Sequence, residues 1–239
     1  LTASDSTVRA VISELAKYRK TEYQINNQQF HKEPVMKRVI RTPIIRRVSS
    51  EQYRTIRGLP LKTIFKYCEQ LLDRKRYEER MVAFDWAYRR RKEFVPGDFA
   101  RFERWLKEYV DDWAACDDLC VRPLGWFLYL IPEMAGHLAK WTGSKNRWIR
   151  RASAVALIPS LRKGEQLDLA FEIAHRLLLD DDDLVRKGYG WMLKEASHRF
   201  PRDVFRFVMK QKVEMPRTAL RYAIEKLPAD QRKQAMKRD

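Results

Sequence analysis

Apolar positions along this chain recur at intervals of three and four residues, and strict alternation of apolar with polar residues is nearly absent. That period lines one face of an α-helix, so the chain is expected to be all-α. The expected helices cover residues 6–20, 43–57, 61–72, 77–92, 98–109, 113–129, 132–141, 147–161, 167–179, 183–199, 201–211 and 216–226. Pro43, Pro60, Pro96, Pro132, Pro201 and Pro216 stand where a helix begins, the place that tolerates a missing N–H. The first twenty residues read as an amphipathic helix with Val8, Val11, Ile12 and Leu15 on one side, and not as a basic stretch followed by an apolar leader.

Within this series the string Asn146-Arg147-Trp148-Ile149-Arg150-Arg151-Ala152 returns, 36 residues later, as Asp182-Asp183-Leu184-Val185-Arg186-Lys187-Gly188. A polar cap, an apolar pair and two basic residues at the start of a helix form the pattern of a HEAT-like repeat, and Tyr77 to Ala83 reads as a degenerate copy. Stacked helix pairs build a curved solenoid, so residues 1–239 are expected to form a single HEAT-like domain with a concave binding cleft. Equivalent positions line one wall of such a stack, which would set Arg150, Arg151, Arg186 and Lys187 in a basic stripe.

Composition narrows the class. Only 8 of 239 residues are Gly, and no GxGxxG or GxxxxGK[ST] string occurs, which argues against dinucleotide-binding and P-loop folds. The longest apolar run, Trp126 to Ile131, is far short of the roughly 18 residues a membrane span needs. The 49 Lys and Arg outnumber the 32 Asp and Glu, giving a formal charge of +17 and pointing to a polyanion, foremost nucleic acid. Three cysteines make no disulfide framework, so a reducing cytoplasm is the expected home.

Chemistry concentrates at two tryptophans. Trp113 and Asp117 are four residues apart and share a helix face, whereas Asp118 points roughly a hundred degrees away; Asp111 or Asp112 is the better cap. In Lys187-Gly188-Tyr189-Gly190-Trp191 two glycines permit close backbone approach, and Lys194 follows one turn beyond Trp191. Cys116 and Cys120 are also four apart, but no second pair completes a tetrahedral metal site, so neither metal nor organic cofactor is expected. His31, His137, His175 and His198 are scattered, with no nucleophile beside any of them. Arg89-Arg90-Arg91-Lys92 and the tail from Arg232 to Arg238 suit either phosphate contact or solvated helix ends.

Six strings in order resemble the DNA alkylation repair glycosylase family of HEAT-like proteins, the AlkD family. They are Arg41-Thr42-Pro43 with Arg46; Leu59-Pro60; Trp113-x-x-x-Asp117; Trp141 with Ser144-x-Asn146-x-Trp148-x-x-Arg151; Lys187-Gly188-x-Gly190-Trp191; and Pro216-Arg217-x-x-Leu220-Arg221-Tyr222. The resemblance covers most of the chain. It implies base excision repair without base flipping: hydrolysis of the N-glycosidic bond of N3- or N7-alkylated purines, such as 3-methyladenine and 7-methylguanine, in duplex DNA. By that likeness Asp117 is the catalytic carboxylate, and Trp113 and Trp191 flank the lesion-bearing deoxyribose. Arg151, Thr42 and Arg46 would touch the strand, joined by Arg150, Arg186, Lys187, Lys194, Arg217 and Arg221. The family commonly has Arg where this chain has Lys194, which keeps the charge and loses the bidentate fork. A glycine common before Arg41 is replaced by Val39 or Ile40.

That chemistry is physically coherent. A cationic alkylpurine leaves as a neutral base and needs no acid, while a carboxylate with an ordinary pKa of about 3.9 is ionised at neutral pH and can stabilise an oxocarbenium-like transition state. Electron-rich indole faces attract both the cationic base and the polarised sugar. A monomer acting on alkylated double-stranded DNA is expected, with no membrane partner. The competing readings are a noncatalytic relative that binds branched or damaged DNA, and a HEAT-like scaffold for an acidic protein.

Overall fold

The structure, a computed structural model, describes residues 3–19 and 40–237. Lys20, His31, Val39 and Arg238 lie outside the described residues. Every regular element described is helical, as the apolar periodicity predicts, and none of these helices is long and apolar enough to cross a membrane. The chain divides into two compact units, Leu1–Phe94 and Val95–Asp239.

The first unit contains α1 (Ala3–Tyr18), α2 (Thr42–Ile56), α3 (Leu61–Leu72) and α4 (Tyr77–Arg89). Helix α1 buries Val8, Val11 and Leu15 as expected, with Ile12 only partly covered. At the centre of the unit is α4, which packs against the other three and is buried along Tyr77 to Ala87. A helix enclosed all round is normally apolar, yet α4 carries Glu78, Glu79, Arg80 and Asp85 inside. The acids among them are held because partners come with them. Arg19 donates to both oxygens of Glu79 at 2.9 and 3.0 Å, and Asp85 accepts from Ser49 Oγ at 2.6 Å and Arg89 Nε at 2.8 Å. Beyond the helix, Arg90 forks onto Glu93 and donates to the Leu59 carbonyl at 2.7 Å, and Arg91 lies over the Tyr88 ring.

The second unit contains α5 (Asp98–Tyr109), α6 (Trp113–Leu119), α7 (Gly125–Leu130), α8 (His137–Trp141), α9 (Arg147–Val155), α10 (Ile158–Arg162), α11 (Leu167–Arg176), α12 (Asp183–Ser197), α13 (Pro201–Gln211), α14 (Arg217–Ala223) and α15 (Ala229–Met236). Two long helices expected from the pattern are broken. The span 113–129 is interrupted by a π-helical turn, Cys120–Leu124, because Pro123 has no N–H to continue the α-helical ladder. Gly125 makes the turn feasible, since a Cβ there would lie 2.2 Å from the Cys120 carbonyl oxygen. The span 147–161 parts into α9 and α10, with Pro159 in the first turn of the latter. Helix α15 was not expected: its residues carry almost no apolar stripe, and only Ala235 is buried.

The 36-residue repetition is repeated in bonding. Asn146 caps α9 by accepting from Trp148 N at 2.8 Å, and Asp182 caps α12 by accepting from Leu184 N, also at 2.8 Å. Two residues before each cap, Ser144 Oγ and Asp180 Oδ1 accept from the cap's own N–H at 3.2 and 2.9 Å. Four residues after each cap, Arg150 and Arg186 reach back to the carbonyls of Ser144 and Asp180. The same loop-and-helix unit is therefore built twice, which makes this part of the chain a helical repeat.

Helix α12 is the hub of the unit, touching α9, α10, α11, α13 and α14. Its contact with α14 depends on Gly190, where a Cβ would fall 2.8 Å from Tyr222 Cβ and 2.9 Å from the Ala219 carbonyl oxygen. Since α14 must retreat to admit a methyl group, Gly190→Ala is expected to destabilise the protein by about 1–3 kcal/mol despite its better helix propensity. A lowered thermal midpoint is the measurement; an unchanged or raised one would contradict the close packing.

Candidate active site

Helix α6 is short, and its N-cap sets its register. Asp112 Oδ1 accepts from Ala115 N at 2.7 Å, which selects Asp112 from the two cap candidates. Ala114, Ala115, Cys116 and Leu119 turn inward, leaving Trp113 and Asp117 together on the partly open face. Asp118 stands apart from them, 3.9 Å from Arg122.

The Asp117 carboxylate meets Arg151 on α9 in a two-point fork, Nε to Oδ1 at 2.9 Å and Nη2 to Oδ2 at 2.8 Å. The remaining guanidinium nitrogen, Nη1, donates to the Leu184 carbonyl on α12. One arginine thus ties three helices, with its side chain 6% and that of Asp117 16% exposed. Burial works against the Arg151 charge, but the attraction and hydrogen bonds of Asp117 outweigh it and raise the guanidinium above its ordinary value. Gly188 supplies the room: a Cβ there would lie 3.1 Å from Arg151 Cγ.

The fork follows from the repeat. Counting five residues from the caps Asp112, Asn146 and Asp182 gives Asp117, Arg151 and Lys187. An acid occupies the first of three equivalent positions and a base the next two, so α6 and α9 meet with opposite charges. Behind Asp117, Cys116 Sγ donates to the Trp148 carbonyl at 3.6 Å. Burial, and then the adjacent Cys116, pushes the Cys120 thiol well above its ordinary value, so it packs as a neutral group. Among the described residues no group of three or more His, Cys, Asp or Glu is arranged to hold a metal.

Trp191 stands on α12, three residues after Gly188, the residue whose missing Cβ makes room for Arg151. Its Nε1 donates to Glu195 Oε1 at 2.9 Å, and Glu195 Oε2 in turn accepts from Arg162 Nε at 2.8 Å. Neither Glu195 nor Arg162 was singled out from the sequence, although the four-residue step from Trp191 to Glu195 was a visible signal.

The remaining predicted contacts are placed unevenly. Arg150, Arg151 and Arg186 do not form an open basic stripe, because each is engaged by its own protein: Arg150 on Asp180 at 2.6 Å and on Ser144, Arg151 on Asp117 and Leu184, Arg186 on Asp180. The physical reason is that buried loop carbonyls between the helix pairs need donors, and arginine reaches them. Lys187 pairs with Asp183 at 2.8 Å, Lys194 with Glu225 at 3.1 Å, and Arg217 donates to the Met236 carbonyl at 3.2 Å; Arg221 is exposed. In the first unit Thr42 opens α2 and is exposed, and Arg46, one turn on, lies 3.6 Å from Asp85.

An all-α repeat with a carboxylate held by a buried arginine at the open face of a short helix defines a class of helical-repeat protein. Its family is identified by comparison. A sequence model of the family described as DNA alkylation repair enzyme matches residues 11–227, and the chain belongs to that family. Among solved structures it is similar to one titled as a predicted DNA alkylation repair enzyme from Enterococcus faecalis. The two share 19% identity with a TM-score of 0.72, over 92% of this chain and 95% of that one. No curated protein matches it. The family supports a role in alkylation repair, with DNA as the partner.

Removing one half of the fork leaves a buried charge. Arg151→Met is therefore expected to cost about 3–5 kcal/mol, and the double variant Asp117→Asn/Arg151→Met to recover part of it. Denaturant unfolding of the single and double variants measures this, and additive losses would show that the pair is not coupled.

Proposed function

We propose that this protein is a monofunctional DNA glycosylase that hydrolyses the N-glycosidic bond of cationic N3- or N7-alkylated purines in double-stranded DNA, without flipping the base, and leaves an abasic site. The observation that carries this reading is the Asp117 carboxylate, fixed by Arg151 and sharing the open face of α6 with Trp113.

In this reading the C1′–N bond breaks with its electron pair going to the base, which departs as a neutral purine. Asp117 stabilises the positive charge growing at C1′ and orients the water, whose proton passes to solvent once it adds. A carboxylate already forked by a guanidinium is a weak base but a well-placed negative charge that needs no reorganisation as the reaction proceeds, which suits electrostatic stabilisation better than proton removal. Trp113 and Trp191 supply electron-rich faces for the charged base and the sugar. Arg151 acts through Asp117.

Residues 1–239 act as one DNA-binding domain, working as a monomer in the cytoplasm. Backbone contacts are assigned to Thr42 and Arg46 in the first unit and to Lys187, Lys194, Arg217 and Arg221 in the second. Arg150 and Arg186 brace the loops beside them. Lys187 and Lys194 exchange exposed carboxylate partners for phosphates, a small cost for pairs open to water.

The test is release of 7-methylguanine and 3-methyladenine from methylated duplex DNA. Asp117→Asn keeps an acceptor for Arg151 and loses the charge, so the rate should fall on the order of 10²–10³-fold while binding persists. Equal release by both proteins refutes the role of Asp117. Binding without release from any alkylated substrate favours the noncatalytic alternative. Affinity for the duplex should also fall steeply with salt as counterion release is lost, and a flat dependence would sink the DNA reading.

A further inference from the structure

The geometry points to Glu195 as a positioning residue that acts through Trp191: it makes the indole face more attractive to positive charge, and so helps the site prefer cationic over neutral DNA ligands. This rests on the glycosylase reading above and adds a source of selectivity to it.

Trp191 and Glu195 are one turn apart on α12, and the indole N–H donates straight to Oε1 at 2.9 Å. The other oxygen is held at 2.8 Å by Arg162, the last residue of α10, so the carboxylate is fixed between two helices. The Glu195 side chain is 12% exposed and that of Arg162 is 51%, so the compensating cation faces water while the anion faces the ring. Burial works against the Glu195 charge, but the bonds from Arg162 and Trp191 hold its carboxyl below the ordinary value, and it stays ionised at neutral pH.

A neutral carbonyl or a water would satisfy an indole N–H equally well. An anionic acceptor does more, because a charge-assisted bond polarises the donor. Electron density moves from the N–H hydrogen into the ring and deepens the negative face of its quadrupole. That face is what draws a cation. Lys194, the cation nearest in sequence, is drawn toward Glu225 and the Tyr222 ring on the side of α14.

The experiment compares affinities of the full chain for two duplexes, one with a cationic pyrrolidine abasic analogue and one with a neutral tetrahydrofuran analogue. The wild type should prefer the cationic duplex. Glu195→Gln retains an acceptor for the indole and removes the charge; the preference should shrink about three- to tenfold, with affinity for the neutral duplex unchanged. In a Trp191→Phe background the same substitution should have no further effect. Arg162→Gln, which spares the Glu195 charge, should leave the preference intact or raise it.

Three results would overturn the inference: a wild-type preference in Glu195→Gln, an equal loss with and without Trp191, or an Arg162→Gln loss matching that of Glu195→Gln. The parent reading is judged separately. A wild type that frees no alkylpurine overturns both, whereas an active wild type with an unmoved ratio in Glu195→Gln overturns this inference alone.

Discussion

The second unit is organised around one buried charge pair. Arg151 reaches Asp117 on α6 with two nitrogens and the Leu184 carbonyl on α12 with the third, so a single side chain sets the spacing of α6, α9 and α12. Burying a guanidinium is costly, and the cost is met only where every donor has an acceptor and the counter-charge is close. That demand explains several features together. Gly188 leaves space for the arginine, Asp112 fixes the register that aims Asp117 at it, and the buried Cys116 and Cys120 pack behind.

The pair also shows how a repeated scaffold acquires a site. The loops before α9 and α12 are stabilised by the same cap, the same hydrogen bond to the cap's N–H and the same arginine reaching back six residues. Most basic residues there serve that framework, and Arg150 with Asp180 is the clearest case. A departure at one repeat position, an acid where the next two helices carry a base, turns a structural motif into a carboxylate held at an open face. Substituting a residue within a sound repeat is a small step for a sequence, since each unit is stabilised mainly by its neighbours.

A second polar chain repeats the chemistry of the first. Arg162, Glu195 and Trp191 form a line from solvent through a partly buried carboxylate to an aromatic ring. Both chains use an arginine to fix a carboxylate, and both carboxylates share a helix with a tryptophan four residues earlier.

Sequence by itself determined the helical class, the 36-residue repeat, the Trp113–Asp117 register, the two aspartates eligible to cap α6 and the two close-packing glycines. Each of these is local, fixed by a period of 3.6 residues or by a side chain reaching its own backbone. The breaks at Pro123 and Pro159 were visible as residues, but not as breaks, because a proline can be absorbed in a first turn or a π turn depending on what packs beside it. Helix α15 was hidden for want of an apolar stripe. Only the tertiary structure decided where the long cationic side chains go. An arginine has the same sequence signature whether it faces solvent, a phosphate, a loop carbonyl or a buried acid, so Arg150, Arg151 and Arg186 read as an open stripe until the neighbouring helices supplied acceptors. The partnerships of Asp117 with Arg151 and of Arg162 with Glu195 join residues more than thirty positions apart, and distances of that kind are set by packing.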